Sequence, residues 1–271
     1  MLRIILSFFG GVFTFLTMSV VAFALTIGAV FWIYGRDLPS HESLAQYKPP
    51  TISRIYSGEG RIVDEFARER RLFTGAKDVP ILIKQAFISA EDKNFYSHPG
   101  YDLRGILSAA VDAARSGGRR VRGASTITQQ VMKNFLLDGS RRAERKIKEI
   151  ILATRIENTL DKERILELYL NEIFLGQNSY GVTAAAQTYF NKTLDELAPH
   201  EAAFLASLPK APSDFHPVRR KQRLLDRRNY VLKEMWQNGF LEEAAYRAEA
   251  AQPLLSVQNG DFKSFRSALP R

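Results

Sequence analysis

The chain has 271 residues, of which 45% are hydrophobic, enough for one large or two modest domains with a substantial core. Its 38 basic and 29 acidic residues give a formal net charge of +9, which favours an anionic partner such as nucleic acid, anionic lipid headgroups or a phosphorylated substrate. The chain has no cysteine, so a disulfide scaffold and a thiolate metal site are both excluded.

The amino terminus contains an apolar stretch, Ile4 to Gly35, without a charged residue. As a helix it would be about 48 Å long, whereas a bilayer's hydrocarbon core is about 30 Å thick. Trp32 and Tyr34 lie where an interfacial aromatic belt is expected. A cleaved signal peptide is the alternative, since Ala22-Phe23-Ala24 fits a cleavage site, but cleavage there would leave an exposed apolar end. We therefore predict a cytoplasmic tip and a retained transmembrane anchor over residues 1–36, with the body of the chain outside.

A stalk and a β-hairpin are predicted next. Residues 37–50 are polar and contain three prolines, a composition typical of an extended linker rather than a packed element. Two strand-like runs, Ile52–Tyr56 and Arg61–Phe66, flank the glycine-containing turn Ser57–Gly60 and predict a hairpin.

From Val79 onward the hydrophobic spacing is helical, so the fold class is predicted to be mainly α with one small hairpin. Helices are predicted to start at Pro80 and Pro199, and a capping box is predicted at Thr193–Glu196. Asp161 is a plausible N-cap. The other predicted helices are Leu103–Arg115, Thr126–Phe135, Arg141–Leu160, Lys162–Leu170, Arg220–Gln237 and Leu241–Ala250.

Two adjacent carboxylates, Glu91 and Asp92, end the first of these helical patterns. Burial at the mouth of an apolar segment can raise the pKa of a carboxylate enough for acid–base work. The simpler interpretation, a helix end decorated with charge, would be preferred for an isolated pair. A polar run, a basic cluster and a second glutamate follow within sixty residues and favour catalysis. His98, beside Pro99 and Gly100, is interpreted as shaping the turn rather than acting as a base.

The polar run Gly123–Gln130 contains neutral hydrogen-bonding groups near a helix start, which can hold sugar hydroxyls or phosphate oxygens without adding charge. Alone, it fits an N-cap followed by a surface helix equally well.

A basic cluster surrounds the second glutamate, Glu149. Its members are Arg141, Arg142, Arg145, Lys146 and Lys148. On a helix, Arg145 and Lys146 lie four and three residues before Glu149 and are its neighbours. A solvated helix face with weak ion pairs is the simpler interpretation. The functional one is a pyrophosphate site, because arginine binds phosphate bidentately and lysine neutralises it; a divalent ion bridging Glu149 and the phosphates fits as well.

Other chemistries lack support. The chain has no P-loop, no paired GxGxxG and no HExxH, so nucleotide and zinc hydrolase functions are not indicated. Ser207–Lys210 is formally an SxxK motif, but Pro209 disrupts the required helical turn and no KTG or KSG triplet is present.

Together these residues resemble the peptidoglycan glycosyltransferases of glycosyltransferase family 51, over about Ile52 to Pro217. The motifs that carry the resemblance are Glu91–Gly100, Gly123–Gln130, Arg145–Glu149, Ile165–Asn171 and Gly181–Ala186 with Tyr189–Phe190.

The resemblance implies a lysozyme-like glycosyltransferase domain over residues 51–217 that polymerises lipid II into glycan strands and releases undecaprenyl pyrophosphate. It implies a single-pass protein of the bacterial inner membrane with its catalytic domain on the periplasmic face. The implied partners are lipid II, the nascent glycan strand, the membrane and a cell-wall synthesis complex, with no nucleic acid. The implied cofactor is a divalent metal, Mg²⁺ or Mn²⁺.

The family's site residues can be carried onto matching positions. Glu91 corresponds to the general base for the acceptor hydroxyl, and Glu149 to the second catalytic glutamate, linked to the donor pyrophosphate and its metal. The implied substrate-binding residues are Asp92, His98, Ser125, Thr126, Gln129, Gln130, Lys133, Arg141, Arg145 and Lys146. Ser108 departs from a frequent arginine, and Asn191 from a glycine, at a position that suits a left-handed turn.

Two segments, Leu208–Pro217 and Arg228–Leu232, are more like bifunctional class A penicillin-binding proteins than monofunctional transglycosylases. Those proteins continue into a transpeptidase domain, so residues 218–271 are interpreted as a helical extension and tail towards a domain missing from a truncated chain. Two other functions stay open: a membrane-bound muramidase or lytic transglycosylase, which has no use for a pyrophosphate site, and a non-catalytic cell-wall scaffold.

Overall fold

A computed structural model of the chain describes residues 2–36, 38, 44, 47, 53–59, 62–66, 70–117, 123, 125–137, 142–212 and 214–257. Within these ranges the helices are α1 (Leu2–Gly35), α2 (Ile81–Glu91), α3 (Leu103–Arg115), α4 (Ile127–Leu136), α5 (Arg142–Glu157), α6 (Lys162–Glu172), α7 (Val182–Phe190), α8 (Pro199–Ser207), α9 (Lys221–Gln237) and α10 (Glu243–Ala251). The strands are β1 (Ser53–Tyr56), β2 (Ile62–Phe66), β3 (Arg70–Arg71) and β4 (Ser179–Tyr180). The predicted mainly α fold with a small hairpin is confirmed.

Helix α1 is the predicted apolar helix, and its Ser7–Gly35 part is long and apolar enough to cross a bilayer. Hydroxyls inside it bond to carbonyls one turn earlier, as in the 2.9 Å bond from Thr14 Oγ1 to the Gly10 oxygen, so they need no water. At its end, Arg155 Nη2 of α5 donates to the Gly35 oxygen at 3.0 Å. This contact joins the helix to the domain.

The predicted hairpin is formed by β1 and β2, which pair antiparallel with Ser53 opposite Phe66. The register shifts between Ile55 and Tyr56, as in a β-bulge. A second contact, the parallel pair of β3 with β4, was not predicted, because two-residue strands leave no pattern in a sequence.

The segment predicted to be a stalk packs against the domain at two of its described positions. Leu44 is 3% exposed, and the Tyr47 ring lies edge-on to Phe135 with centroids 4.7 Å apart. The Tyr47 hydroxyl donates to Glu172 Oε1 at 2.9 Å. An unpacked stalk is therefore wrong there, because one leucine and one tyrosine bury enough apolar surface to dock an otherwise polar segment.

The core is built around α6, which is buried over residues 165–171. Helix α2 packs against α8 and α9, and α4 packs against α5 and α6. Fully buried side chains from several helices meet in this core, among them Ile83, Phe87, Met132, Leu152 and Leu232. Each contributes roughly 1.5–3 kcal/mol by leaving water. The core thereby holds the ends of α2, α4 and α5 together, where the predicted site residues lie.

Helix ends follow the sequence signals with one correction. Asp161 caps α6 as predicted, its Oδ1 accepting from the Arg164 N–H at 2.7 Å. The predicted capping box at Thr193–Glu196 is wrong as a helix start: Glu196 accepts from the Thr193 N–H and closes a turn. Helix α8 begins at Pro199, where Glu201 accepts from the preceding Ala198 N–H at 2.9 Å. Glu196 accepts from a backbone N–H within the turn, and it is Glu201 that accepts from the N–H before α8. Pro199, at the first helical position, has the φ that a helix requires.

Candidate active site

Both predicted glutamates line one groove, which encloses about 1430 Å³. Its walls come from the end of α2 and the following turn, one face of α3, α4 with the residues just before it, α5, and the middle and last turns of α9. Among the residues that line the groove are Glu91, Asp92, Ser108, Ser125, Thr126, Gln129, Gln130, Lys133, Glu149, Lys210, Arg227, Tyr230 and Glu234. The polar run and Glu149 are therefore on the same side of the molecule as Glu91.

Glu91 is the last residue of α2, and its side chain is only 13% exposed. Burial raises the pKa of this carboxyl above the ordinary value of 4.5, while the hydrogen bond from Gln130 and the charges of Arg227 and Lys210 oppose the rise. Gln130 Nε2 donates to Glu91 Oε2 at 2.9 Å and so fixes the carboxyl's orientation. A carboxylate with raised proton affinity, held open to a groove, is suited to accept a proton.

Asp92 and His98 brace the turn behind Glu91. Asp92 Oδ2 accepts from the Ile127 N–H at 2.9 Å and lies 2.9 Å from His98 Nε2. The Gly100 N–H donates to His98 Nδ1 at 3.1 Å, so in the neutral ring the hydrogen belongs on Nε2 and points at Asp92. His98 does not line the groove; it shapes the turn, in agreement with the interpretation from the sequence.

Gly100 brings this turn against α5. Its φ is +93°, and a Cβ there would lie 2.6 Å from the Ala153 oxygen. Thr126 Oγ1 donates to the Gly100 oxygen at 2.7 Å, which ties the start of α4 to the same turn. Only glycine allows both the conformation and the close approach.

Two residues of the polar run are used by the fold. Thr126 and Gln129 form a reciprocal capping box at the start of α4, and both are at most 2% exposed. Ser125 and Gln130 are less buried, and each makes a side-chain hydrogen bond with a charged residue: Ser125 accepts from Lys146, and Gln130 donates to Glu91. The capping bonds leave Gln129 Nε2 buried, with no hydrogen-bond partner among the described residues.

Lys146 joins the polar run to Glu149 and is not itself among the residues that line the groove. Its Nζ donates to Ser125 Oγ at 2.8 Å, to Gln129 Oε1 at 2.9 Å and to Glu149 Oε2 at 3.1 Å. These three bonds use all three ammonium hydrogens. Lys146 therefore supplies positive charge while holding the polar run and Glu149 together.

Arg145 is the second cation beside Glu149, which is itself 6% exposed. Its Nε lies 3.4 Å from Glu149 Oε1, a distance that makes an ion pair, but the contact lacks hydrogen-bond geometry. This buried Nε is thus a second donor near the groove that no described residue satisfies, and such donors are costly unless a ligand accepts from them.

The remaining predicted cations differ in position. Lys133 lines the groove from the last turn of α4. Lys148 lies 2.7 Å from Glu144 and belongs to a separate ion pair. Arg141, predicted to bind substrate, lies outside the described residues. Ser108, where the family often has arginine, lines the groove from α3.

The contribution of α9 to the groove was not predicted from the sequence. Arg227 Nη2 donates to the Ala90 oxygen at 3.2 Å and lies 3.8 Å from Glu91 Oε1, with its guanidinium over the Tyr230 ring at 4.8 Å. Arg227, Tyr230 and Glu234 all line the groove. Their i, i+3, i+7 spacing on an amphipathic helix is the signal that could have placed them on one face. The predicted boundary between residues 217 and 218 stays a prediction.

The residues around Glu149 do not fit a metal held by protein ligands alone. The described residues contain no group of three or more His, Asp or Glu side chains placed to hold an ion. Each oxygen of Glu149 already faces a cation, Arg145 or Lys146. Hard divalent ions take six or more oxygen ligands, so this donor set lacks most of a coordination shell. The predicted Mg²⁺ or Mn²⁺ ion at Glu149 stays a prediction.

Comparison with known proteins agrees with this geometry. The sequence model of a family described as Transglycosylase matches residues 59–236, which include both glutamates and most of α9. The chain belongs to the transglycosylase family. The predicted resemblance to peptidoglycan glycosyltransferases is thus confirmed at the level of the family.

Two relatives of this transglycosylase chain carry the same name. Penicillin-binding protein 1A of Rickettsia felis is 46% identical over 248 residues, which are 89% of this chain and 31% of that protein. Penicillin-binding protein 1A of Aquifex aeolicus is 41% identical over 245 residues, 90% of this chain and 34% of that protein. The chain therefore spans about a third of the length of these curated relatives. The crystal structure of penicillin-binding protein 1A from Haemophilus influenzae matches with 28% identity and a TM-score of 0.43, over 78% of this chain and 22% of that one.

Proposed function

We propose that this transglycosylase domain polymerises lipid II, joining the sugar of one molecule to the growing strand carried by another. A sugar hydroxyl of the acceptor attacks the anomeric carbon of the donor, and the carbon–oxygen bond to undecaprenyl pyrophosphate breaks with its electron pair. The observation that carries the proposal is that one groove is lined by the buried carboxylate Glu91 and by Lys133 and Glu149, and that Glu149 is paired with Arg145 and Lys146.

Glu91 is the base in this reaction. A neutral hydroxyl is a poor nucleophile, and it becomes a better one when its proton moves to a carboxylate as the new bond forms. The raised pKa of Glu91 increases the driving force for that transfer. The bond from Gln130 keeps one carboxylate oxygen occupied, which leaves the other to accept the proton.

The cationic wall, formed by Lys133, Glu149 and the two cations paired with Glu149, Arg145 and Lys146, receives the leaving group. Of these four, Lys133 and Glu149 line the groove itself. Negative charge grows on the pyrophosphate as it departs, and preorganised cations stabilise that charge in the transition state. Gln129 Nε2 and Arg145 Nε, both buried and unpaired among the described residues, are donors that phosphate oxygens would satisfy. A muramidase has no pyrophosphate to bind, so this wall favours the polymerase over that alternative.

We also propose that the domain works at the outer face of the bacterial inner membrane, anchored by α1. Helix α3 supports this placement, because its polar face lines the groove while Leu103 and Leu107, one turn apart, are each 59% exposed. An apolar face beside the groove suits a substrate and a product that both carry lipid tails. A wider cell-wall synthesis complex is proposed as a partner, and nucleic acid is not.

The test is to incubate the chain with labelled lipid II, with and without Mg²⁺, and separately with purified glycan strands, and to separate the products on a gel. Polymer from lipid II together with intact glycan strands supports the proposal. Cleavage of the strands without polymerisation favours the muramidase, and no reaction in either mixture favours the scaffold. Dependence of polymer formation on Mg²⁺ tests the predicted metal.

A further inference from the structure

The groups of the groove are carried by separate segments of the chain. The turn that follows α2 braces Glu91, α4 carries Gln129 and Gln130, and α5 carries Lys146 and Glu149. Catalysis by these groups depends on how the segments are held relative to one another, since a misplacement of about 1 Å can cost a factor of about 10² in rate.

All three segments meet behind the groove at one ion pair, Lys162 with Glu157. Lys162 Nζ donates to Glu157 Oε1 at 2.7 Å and to the His98 oxygen at 2.7 Å, and it lies 4.6 Å from the centroid of the Phe95 ring. Thr128 Oγ1 donates to the same Glu157 oxygen at 2.6 Å. The Glu157 side chain is 8% exposed and that of Lys162 20%.

Each contact belongs to a different segment. Phe95 and His98 lie in the turn after Asp92, Thr128 lies in the first turn of α4, and Glu157 is the last residue of α5. Lys162 is the first residue of α6, which is buried over residues 165–171. Neither Lys162 nor Glu157 is among the residues that line the groove.

We propose that Lys162 and Glu157 are positioning residues for glycosyl transfer, which fix the distance between Glu91 and the cations around Glu149. The expected effect on the reaction rate rests on the proposed function, whereas the expected effect on the distance between the segments rests on the geometry alone. Removing one partner leaves the other charge buried and unpaired, which is costly, so the segments shift to reach water or another partner.

A matched control lies nearby. Lys84 Nζ of α2 lies 2.6 Å from Glu163 Oε2 of α6, which is 48% exposed. This pair joins the same core helix to the helix that carries Glu91, and Glu163 also accepts from the Tyr96 hydroxyl of the turn at 2.8 Å, but within the described residues its hydrogen bonds reach neither α4 nor α5. Lys84→Met therefore removes an ion pair of the same type without releasing the junction.

The kinetic test compares Lys162→Met, Lys162→Arg, Glu157→Gln and Lys84→Met in the full chain, well below the lowest melting temperature. Loss of positioning acts on the reacting geometry, so Lys162→Met and Glu157→Gln are expected to lower kcat by about 10-fold or more, with KM for lipid II within about 2-fold. Lys162→Arg keeps the donors and recovers most of the rate, and Lys84→Met keeps the wild-type kcat.

A second measurement does not depend on lipid II. Because the chain has no cysteine, spin labels can be attached to Lys93→Cys in the turn and Lys148→Cys in α5. Lys162→Met is expected to shift or broaden the distance distribution between the labels, and Lys84→Met to leave it unchanged.

The outcomes separate the two proposals. A wild-type chain that makes no glycan overturns the proposed function, and the label distances then decide the positioning inference by themselves. An unchanged distance distribution in Lys162→Met overturns the inference. So does a wild-type kcat in the folded variant, or an equal loss of kcat in Lys84→Met.

Discussion

At the scale of single residues, Glu91 ionises where burial opposes its charge and three neighbours favour it. As the proposed base, Glu91 would act only when ionised, so activity is expected to be lost as the pH falls through its raised pKa. Arg227 is one of the groups that lower this pKa, and it lies 3.8 Å from the carboxylate.

Arg227→Met is therefore expected to move the acid limb of the pH–rate profile to higher pH, because the raising effect of burial is then less opposed. The measurement is kcat/KM for glycan formation as a function of pH. Arg223→Met, on the same helix but 58% exposed, is the control and should leave the limb in place. An acid limb that stays put or moves to lower pH in Arg227→Met would show that Arg227 does not act on the base.

Several residue roles were predictable because a local pattern specifies them. Glu91 and Asp92 end an apolar helix, and Arg145 and Lys146 have the helical spacing that places them beside Glu149. The bonds of Lys146 to Ser125 and Gln129 were not predictable, since these two acceptors lie just before and within another helix, α4. The same holds for Arg227, whose approach to Glu91 depends on how α9 packs against α2.

At the scale of elements, two glycines have contrasting environments, one in the turn between α2 and α3 and the other just after α3. Gly100, with φ +93°, would place a Cβ 2.6 Å from the Ala153 oxygen, whereas Gly117, with φ +58°, has open space around it. Both need a left-handed conformation, but only Gly100 is also needed for close packing.

Gly117→Ala is expected to cost about 1 kcal/mol, from the left-handed conformation alone. Gly100→Ala adds a backbone clash and is expected to cost about 3 kcal/mol or more and to displace the turn that braces Glu91. Chemical denaturation of the two variants measures the difference. Equal losses of stability would mean that the contact between the turn and α5 is not required.

Element boundaries were predictable where a cap or breaker stands in the sequence. Helix α3 ends at Arg115 before Gly117, and Asp161 caps α6, both as predicted. The prediction of a helix start at Thr193–Glu196 failed because the same Ser/Thr-x-x-Glu spacing can also close a turn. In this chain Pro199 is the residue that marks the true start of the helix.

At the scale of the whole molecule, the fold attaches a mainly helical domain to one long apolar helix. The contact of Arg155 with the Gly35 oxygen places the carboxyl end of α1 beside α5. An anchor with the domain outside would set the groove near the membrane surface, where a lipid-linked substrate is found.

This orientation predicts that Gln187→Cys, an exposed position on α7, reacts with a membrane-impermeant maleimide on intact spheroplasts. Arg3→Cys is expected to react only after the membrane is permeabilised. The parent chain has no cysteine and serves as the unlabelled control. The reverse pattern, with Arg3→Cys labelled from outside, would invert the proposed topology.

The central claim is that Glu91 draws a proton from the acceptor while the cations around Glu149 receive the leaving group in the same groove. Glu91→Gln in the full chain, assayed for glycan formation and for binding of labelled lipid II, tests it most directly. The raised pKa of Glu91 means that its ionised form lowers the free energy of unfolding at pH values above the carboxyl's ordinary pKa of 4.5. The neutral variant is therefore expected to melt at the same or a higher temperature. It is expected to bind lipid II as the wild type does and to lose about 10²–10⁴-fold in rate. Glycan formation at the wild-type rate would contradict the account.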